Sequence, residues 1–139
     1  MDGISLPWSD VPLELIESHG LARLAHERGG EKELRFLRHC RQPVLPVWQD
    51  GQLLILPWGR RGGGLTWQRT VEEGLWQGGE PVEIRAAAGL DGGIWYRIRQ
   101  GIRGLVADHD AYLIIEPASH YYRVMTRREK MPVLIGERI

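Results

Sequence analysis

Tryptophans set beside arginines are the residues of this chain best suited to chemistry with a flat, anionic ligand. Trp58-Gly59 runs into Arg60-Arg61, then Gly62-Gly63-Gly64 and, three residues later, Trp67. An indole offers a stacking surface worth about 1–3 kcal/mol per base, and a guanidinium is a planar fork for phosphate. One reading of this corner is an exposed Trp58 wedge beside two phosphate contacts. The plainer one is a strand-end tryptophan in the core with a solvated arginine turn. The glycine run lacks the Gly-Lys-Ser/Thr ending of a Walker loop and reads as a flexible loop. Arg85 is followed by Ala86 and Ala87, which leave room for a ligand; pairing with Glu83 is the alternative. Arg99 and Arg103 are four apart and would share a helix face. His120, Tyr121 and Tyr122 precede Arg123, Arg127 and Arg128, a mixture that suits single-stranded nucleic acid or a plain surface segment.

Other candidates carry less. His39 and Cys40 are adjacent on an extended stretch, so their side chains diverge, a poor nucleophile–base pair; Cys40 reads as a buried structural cysteine. His19 and His26 lack a cysteine or carboxylate at ligand spacing, so no metal site is expected, and no cofactor motif is present.

The elements that must position these residues follow from pattern. Val44–Gln49 and Gln52–Leu56 are apolar runs joined by Asp50-Gly51, the strongest short hairpin signal. Before them, Asp2 to Trp8 reads as an irregular lead-in. Ser9 or Asp10 can cap a helix with Pro12 in its first turn. Leu13, Ile16, Leu21, Leu24 and Ala25 recur at helical spacing, broken at Gly20, and Gly29-Gly30 stops the second helix. Glu31 to Cys40 is ambiguous. Thr66 or Thr70 starts a helix bearing Trp67, Val71 and Leu75 on one face, ended by Gly78-Gly79. Pro81 to Ala87 alternates as a strand. Asp91 can cap a helix that aligns Ile94, Ile98 and Ile102. Leu105-Val106 and Ala111–Ile115 are strands with a turn at His109-Asp110. Tyr121 to Lys130 is partly irregular, and Met131 to Ile135 is a last strand. The expected class is α+β, a mainly antiparallel sheet core with several short flanking helices. It forms one domain, residues 1–139, in which a helical or irregular N-terminal segment (residues 1–42) packs on a core of residues 43–139.

Totals bound the function. The 139 residues balance 18 basic against 18 acidic side chains, so global charge makes no case for nucleic acid or membrane. Among the basic residues only Lys32 and Lys130 are lysine, and six tryptophans stand against one phenylalanine. A single cysteine precludes an intrachain disulfide and fits a reducing compartment. No signal peptide or membrane-spanning run is visible, so a cytoplasmic protein is expected, a monomer being favoured.

The order of motifs resembles the SOS-response-associated peptidase (SRAP) family, whose members sense abasic sites in single-stranded DNA. That family runs an apolar hairpin into Trp-Gly-Leu-x-Pro-x-Trp, then Asn-Ala-Arg-Ala-Glu, an Arg-Cys-Leu-Val-Pro-Ala strand and a late His-x-Arg-Met-Pro-Val. Here Pro57-Trp58-Gly59 with Trp67, Glu83-Ile84-Arg85-Ala86-Ala87, Arg103-Gly104-Leu105-Val106-Ala107 and Arg128-Glu129-Lys130-Met131-Pro132-Val133 stand in that order. The resemblance covers about Pro43 to Ile135 of a chain shorter than typical members. The family nucleophile is a cysteine at position 2; here it is Asp2, which cannot close a thiazolidine. Glu83 replaces the family asparagine and Ala87 the glutamate of its motif. The strand glutamate aligns near Leu113, or with Glu116 after a register shift, and Arg128 replaces the histidine. The resemblance therefore implies a non-catalytic relative, of a kind that fits a phage or prophage gene. It would bind single-stranded or junction DNA without a covalent abasic-site adduct through Trp58, Gly59, Arg60, Arg61, Trp67, Arg85, Arg103 and Arg128. Replacing Arg85 with Ala should then weaken binding across sequences. The rival is a structural or protein-interaction module without DNA binding. An enzyme with replaced chemistry at Glu83, Glu116 and His120 ranks third. A continuous positive groove through Arg60, Arg85 and Arg103 would favour the first; the same arginines dispersed and ion-paired would favour the second.

Overall fold

The computed structural model describes Met1–Ile139, every residue of the chain. The hairpin forms as its sequence dictates: β4 (Val44–Gln49) pairs antiparallel with β5 (Gln52–Pro57). Asp50 and Gly51 sit at φ 52° and 76°, the positive-φ pair that a two-residue turn between twisted strands demands.

The hairpin belongs to a seven-stranded sheet with β7 (Glu80–Arg85), β10 (Gly101–Ala107), β11 (Asp110–Pro117) and β12 (Lys130–Pro132). The order is β12-β11-β10-β7-β4-β5. β6 (Leu65–Trp67) joins β11 in parallel, the other ladders being antiparallel. A second, five-stranded antiparallel sheet consists of β1 (Gly3–Pro7), β2 (Ala25–Arg28), β3 (Glu31–Leu37), β8 (Ala88–Asp91) and β9 (Ile94–Arg97). Its order is β2-β3-β1-β8-β9. Three short helices flank the sheets: α1 (Leu13–Ser18), α2 (Gln68–Glu72) and α3 (His120–Thr126). This is the expected α+β class with a mainly antiparallel sheet. One cluster of buried side chains joins the two sheets. Ile4, Leu6, Leu34 and Phe36 come from one, and Leu45, Val47, Ile84, Ile102 and Leu113 from the other.

Several expectations fail where short-range pattern and tertiary pairing compete. Asp2 to Trp8 is no lead-in. Ile4 and Leu6 alternate inward, making β1 the central strand of the smaller sheet. Residues 1–42 are therefore not simply helical or irregular: they supply β1, β2 and β3, and β1 pairs with β8, far along the chain. The expected second helix is a 3₁₀ turn, Leu21–Leu24, that passes into β2, and Gly29-Gly30 turns β2 into β3. The isoleucines at 94, 98 and 102 mimic a helical stripe, but Gly92-Gly93 is a hairpin turn at positive φ. Ile94 lies on β9 and Ile102 on β10, and Asp91 is a buried strand end. With no helix there, Arg99 and Arg103 form no ridge. The helix after Thr66 is only five residues long, with Trp67 before it and Leu75 beyond it. The β10–β11 turn lies at Asp108-His109, both at positive φ. Tyr121 to Lys130 is ordered instead by α3, whose N-cap Ser119 accepts a hydrogen bond from the Tyr122 N–H.

Candidate nucleic-acid interface

Trp58 is buried, 2% exposed, so the structure corrects the wedge reading. As β5 ends, the Trp58 N–H donates to the Pro43 carbonyl at 2.8 Å and the Gly59 N–H to that of Ala111 at 2.8 Å. A buried indole N–H needs an acceptor, and the Gly64 carbonyl supplies one at 2.9 Å. The glycine run is thus no free loop. It folds back under the tryptophan, and Gly64 has φ 83° with room for no side chain. A Cβ there would lie 2.2 Å from Trp58 Nε1. Arg38 closes the corner from β3's end, Nη1 donating to the carbonyls of Trp58 (3.2 Å) and Gly59 (2.8 Å). Burial, and then the charge of Arg60, pull its pKa below the ordinary arginine value.

Outside this frame lies a cleft of about 580 Å³ lined by His19, Arg23, Arg60, Arg61, Asp110 and Tyr112, among others. Arg23, Arg60 and Arg61 form no ion pair. Arg61 lies over the Trp76 ring at 3.9 Å, and Trp76 packs on Tyr112 at 4.8 Å. The Trp76 N–H donates to Thr66 Oγ1 at 2.7 Å, fixing that ring. Burial and then the Asp110 charge raise the Tyr112 phenol's pKa against the opposing pull of Arg61. A site with three unpartnered guanidinium groups and one carboxylate can hold an anion. Sequence reasoning found Arg60 and Arg61 but missed Arg23, Arg38, Trp76 and Tyr112. No local pattern brings those four to this corner; strand pairing does.

The remaining predicted residues lie elsewhere. Arg85 is stacked on Trp48 at 4.5 Å and ion-paired to Glu83 at 3.5 Å. Trp48, 37% exposed, separates two depressions. Arg85 lines one of them; Arg103 lines the other with Asp50, Glu80 and Glu83. Trp67 is half-exposed, with the Lys130 ammonium 5.6 Å from its ring. No single groove joins these residues to the corner.

Arg128 belongs to a third place. It meets Asp2 (Nη2–Oδ2, 3.4 Å) and Asp91 (Nε–Oδ1, 3.4 Å). The Gly92 N–H donates to Asp2 at 3.0 Å, and Tyr122, itself 3.1 Å from the Tyr96 hydroxyl, donates to Asp91 at 2.7 Å. The Met1 amine lies 3.5 Å from Asp91 Oδ1, a buried oxygen that accepts no hydrogen bond. Burial raises both phenols' pKa values. Asp2 and Arg128 are thus neighbours, at the two positions where the resemblance puts a cysteine and a histidine. Glu83 and Glu116 are on the other sheet, each bridged to an arginine, Arg85 and Arg138.

No group of three or more His, Cys, Asp or Glu side chains is placed to hold a metal ion. No helix is long and apolar enough to cross a membrane. No protein-family model matches the chain, and no curated protein or solved structure matches it.

Proposed function

We propose that this chain is a catalytically degenerate relative of the SOS-response-associated peptidase family. It binds single-stranded or junction DNA through the Trp58–Gly59 corner, without a covalent abasic-site adduct. The observation that carries the reading is the cleft in which Arg23, Arg60 and Arg61 stand without carboxylate partners on a rigid frame. Phosphates enter that cleft, and Arg38, Trp58 and Gly64 hold its wall in place without touching DNA. The Asp2–Arg128–Asp91 knot supports the absence of an adduct. Its two carboxylates are balanced by the Arg128 guanidinium and the Met1 amine, and a carboxylate at position 2 offers neither a thiol nor a ring-closing partner for an aldehyde.

The test is fluorescence anisotropy with labelled single-stranded, duplex and junction DNA, with and without an abasic site, at two salt concentrations, followed by a denaturing gel. Saturable, salt-sensitive binding without a covalent band is expected, since phosphate contacts release counterions. A covalent band would overturn the non-covalent assignment. Absence of binding to every form would favour the second reading, a protein-interaction module. The placing of Arg60, Arg85 and Arg103 in separate depressions, with Arg85 paired to Glu83, favours that reading, as do Tyr121 and Val124, both 67% exposed on one face of α3.

A further inference from the structure

The smaller sheet carries a second cleft, of about 400 Å³, that the DNA reading does not use. Strand register sets its floor. Arg35, Ser5, Ala88 and Arg97 stand in one row across β3, β1, β8 and β9, so two arginines flank a hydroxyl and a methyl. The sheet curls strongly. Arg28, on edge strand β2, reaches 4.5 Å from the ring of Trp95 on the opposite edge strand, β9. Arg35 approaches the same ring at 5.1 Å.

The chain's own carboxylate shows what this surface recognises. Glu33, whose side chain is 9% exposed, accepts two hydrogen bonds from Arg28 (2.6 and 3.1 Å) and one from Arg35 (3.0 Å). Burial opposes its ionisation, but these hydrogen bonds outweigh burial and hold its pKa below the ordinary carboxylate value. Beside that satisfied group, three others remain free. Arg97 and Lys32 line the cleft without ion pairs. Lys32 is held over the Trp8 ring at 3.6 Å. Ser5 is 4% exposed and lines the floor, and its hydroxyl takes part in none of the side-chain hydrogen bonds. Its oxygen is not a buried orphan; it opens onto the cleft that Arg97 and Lys32 also line. Glu31 is the one lining carboxylate outside the Glu33 clamp.

We infer that this cleft is an oxyanion site, taking the phosphate or carboxylate group of a small ligand between Arg97 and Lys32 with the Ser5 hydroxyl donating from the floor. It stands apart from the corner and does not depend on the DNA reading.

The test is an amide NMR titration of the full chain with sodium phosphate and, separately, sodium acetate, against sodium chloride at matched ionic strength. Saturable shifts of the Ser5, Ala88 and Arg97 amides with either anion are expected, the stronger anion identifying the group. The exposed pair of changes Lys32→Gln and Arg97→Gln should weaken that binding at least tenfold with the rest of the spectrum retained. Ser5→Ala should weaken it several-fold. Arg60→Ala with Arg61→Ala should leave it within twofold. No saturable shift at those amides with either anion would overturn the site, as would unchanged affinity in the Lys32/Arg97 variant. Loss in the corner variant instead would assign the anion to the other cleft and overturn it equally.

Discussion

The two ends of the β4–β5 hairpin hold the same kinds of residue and differ in every respect that matters for binding. Each has a tryptophan and two arginines close by: Trp58, Arg60 and Arg61 at the open end, and Trp48, Arg85 and Arg103 toward the turn. Val44 and Trp48 are four residues apart on one strand, about 13 Å at 3.3 Å per residue. At the open end the tryptophan is buried and the arginines are unpaired. Near the turn the tryptophan is half-exposed, Arg85 is committed to Glu83 and Trp48, and Arg103 shares its depression with three carboxylates. Composition does not make a binding site. A rigid wall with unspent charge does; near the turn Arg85 is spent on Glu83, and Arg103, though in no ion pair, lies among three carboxylates.

The comparison can be broken most decisively from the corner's frame. Trp58→Ala removes a 2%-exposed indole together with its hydrogen bond to Gly64, so a loss of about 3–5 kcal/mol is expected. Gly64→Ala adds a Cβ against Trp58 and Arg38 at positive φ, with about 1–3 kcal/mol of backbone strain and a similar cost for overpacking. Urea unfolding measures both. Near-wild-type stability in either would show that the corner is not the rigid wall described.

How much of this was legible in the sequence depends on the range of the interaction. The hairpin was, because Asp50-Gly51 encodes its own turn. The alternation of β7 and the α+β class were, because periodicity is local. β1 was not: its five residues hold only Ile4 and Leu6 as inward apolar positions, and the strand exists because β3 and β8 flank it. The isoleucines at 94, 98 and 102 misled because a helical spacing was met by two strands with Gly92-Gly93 before the first. At the site, Arg60 and Arg61 could be named from the run that contains them. The orientation of Trp58 could not, since besides Gly64 in its own run it depends on Arg38 and Ala111, which come from two distant stretches of the chain. Nothing in the sequence marked Arg28 and Arg35 as partners of Trp95 either.

The next effect is on binding. Arg60→Ala with Arg61→Ala should lower affinity for single-stranded DNA at least tenfold and reduce the salt slope by about 1.4, at about 0.7 per phosphate contact. Both residues are exposed and form no ion pair, so the stability cost should be limited to the lost Arg61–Trp76 stacking, about 0.5–1 kcal/mol. Anisotropy at several salt concentrations reads the slope; an unchanged slope would remove the corner from the interface.

The smaller sheet supplies a control of intermediate size. Glu33→Gln leaves Arg28 and Arg35 without their carboxylate and should cost about 1–3 kcal/mol at neutral pH. The folded pKa of Glu33 lies below its ordinary value. Its contribution is therefore complete above the unfolded value of about 4.3 and is lost as pH falls through the folded one. The stability gap between wild type and variant should shrink on acidification below about pH 4 in urea titrations. A gap that does not shrink as the pH falls below the unfolded value would show that the clamp does not operate through charge.

The smallest expected effect is the most informative about the hairpin. From sequence, Arg85 ranked as a chief phosphate contact; in the fold, a phosphate would have to compete with Glu83 at 3.5 Å and draw the guanidinium off Trp48. Arg85→Ala should therefore change DNA affinity by less than about twofold and leave the salt slope intact. It should also alter the fluorescence of Trp48, assigned by comparison with Trp48→Phe. If Arg85→Ala instead matched the Arg60/Arg61 variant, the ion pair with Glu83 would have to open on binding. A Glu83→Gln change would then tighten binding rather than leave it unmoved, because a partially screened pair is worth only about 1 kcal/mol and its removal frees a guanidinium already held flat on an indole. The two variants together separate an arginine that is spent from one that is held in reserve.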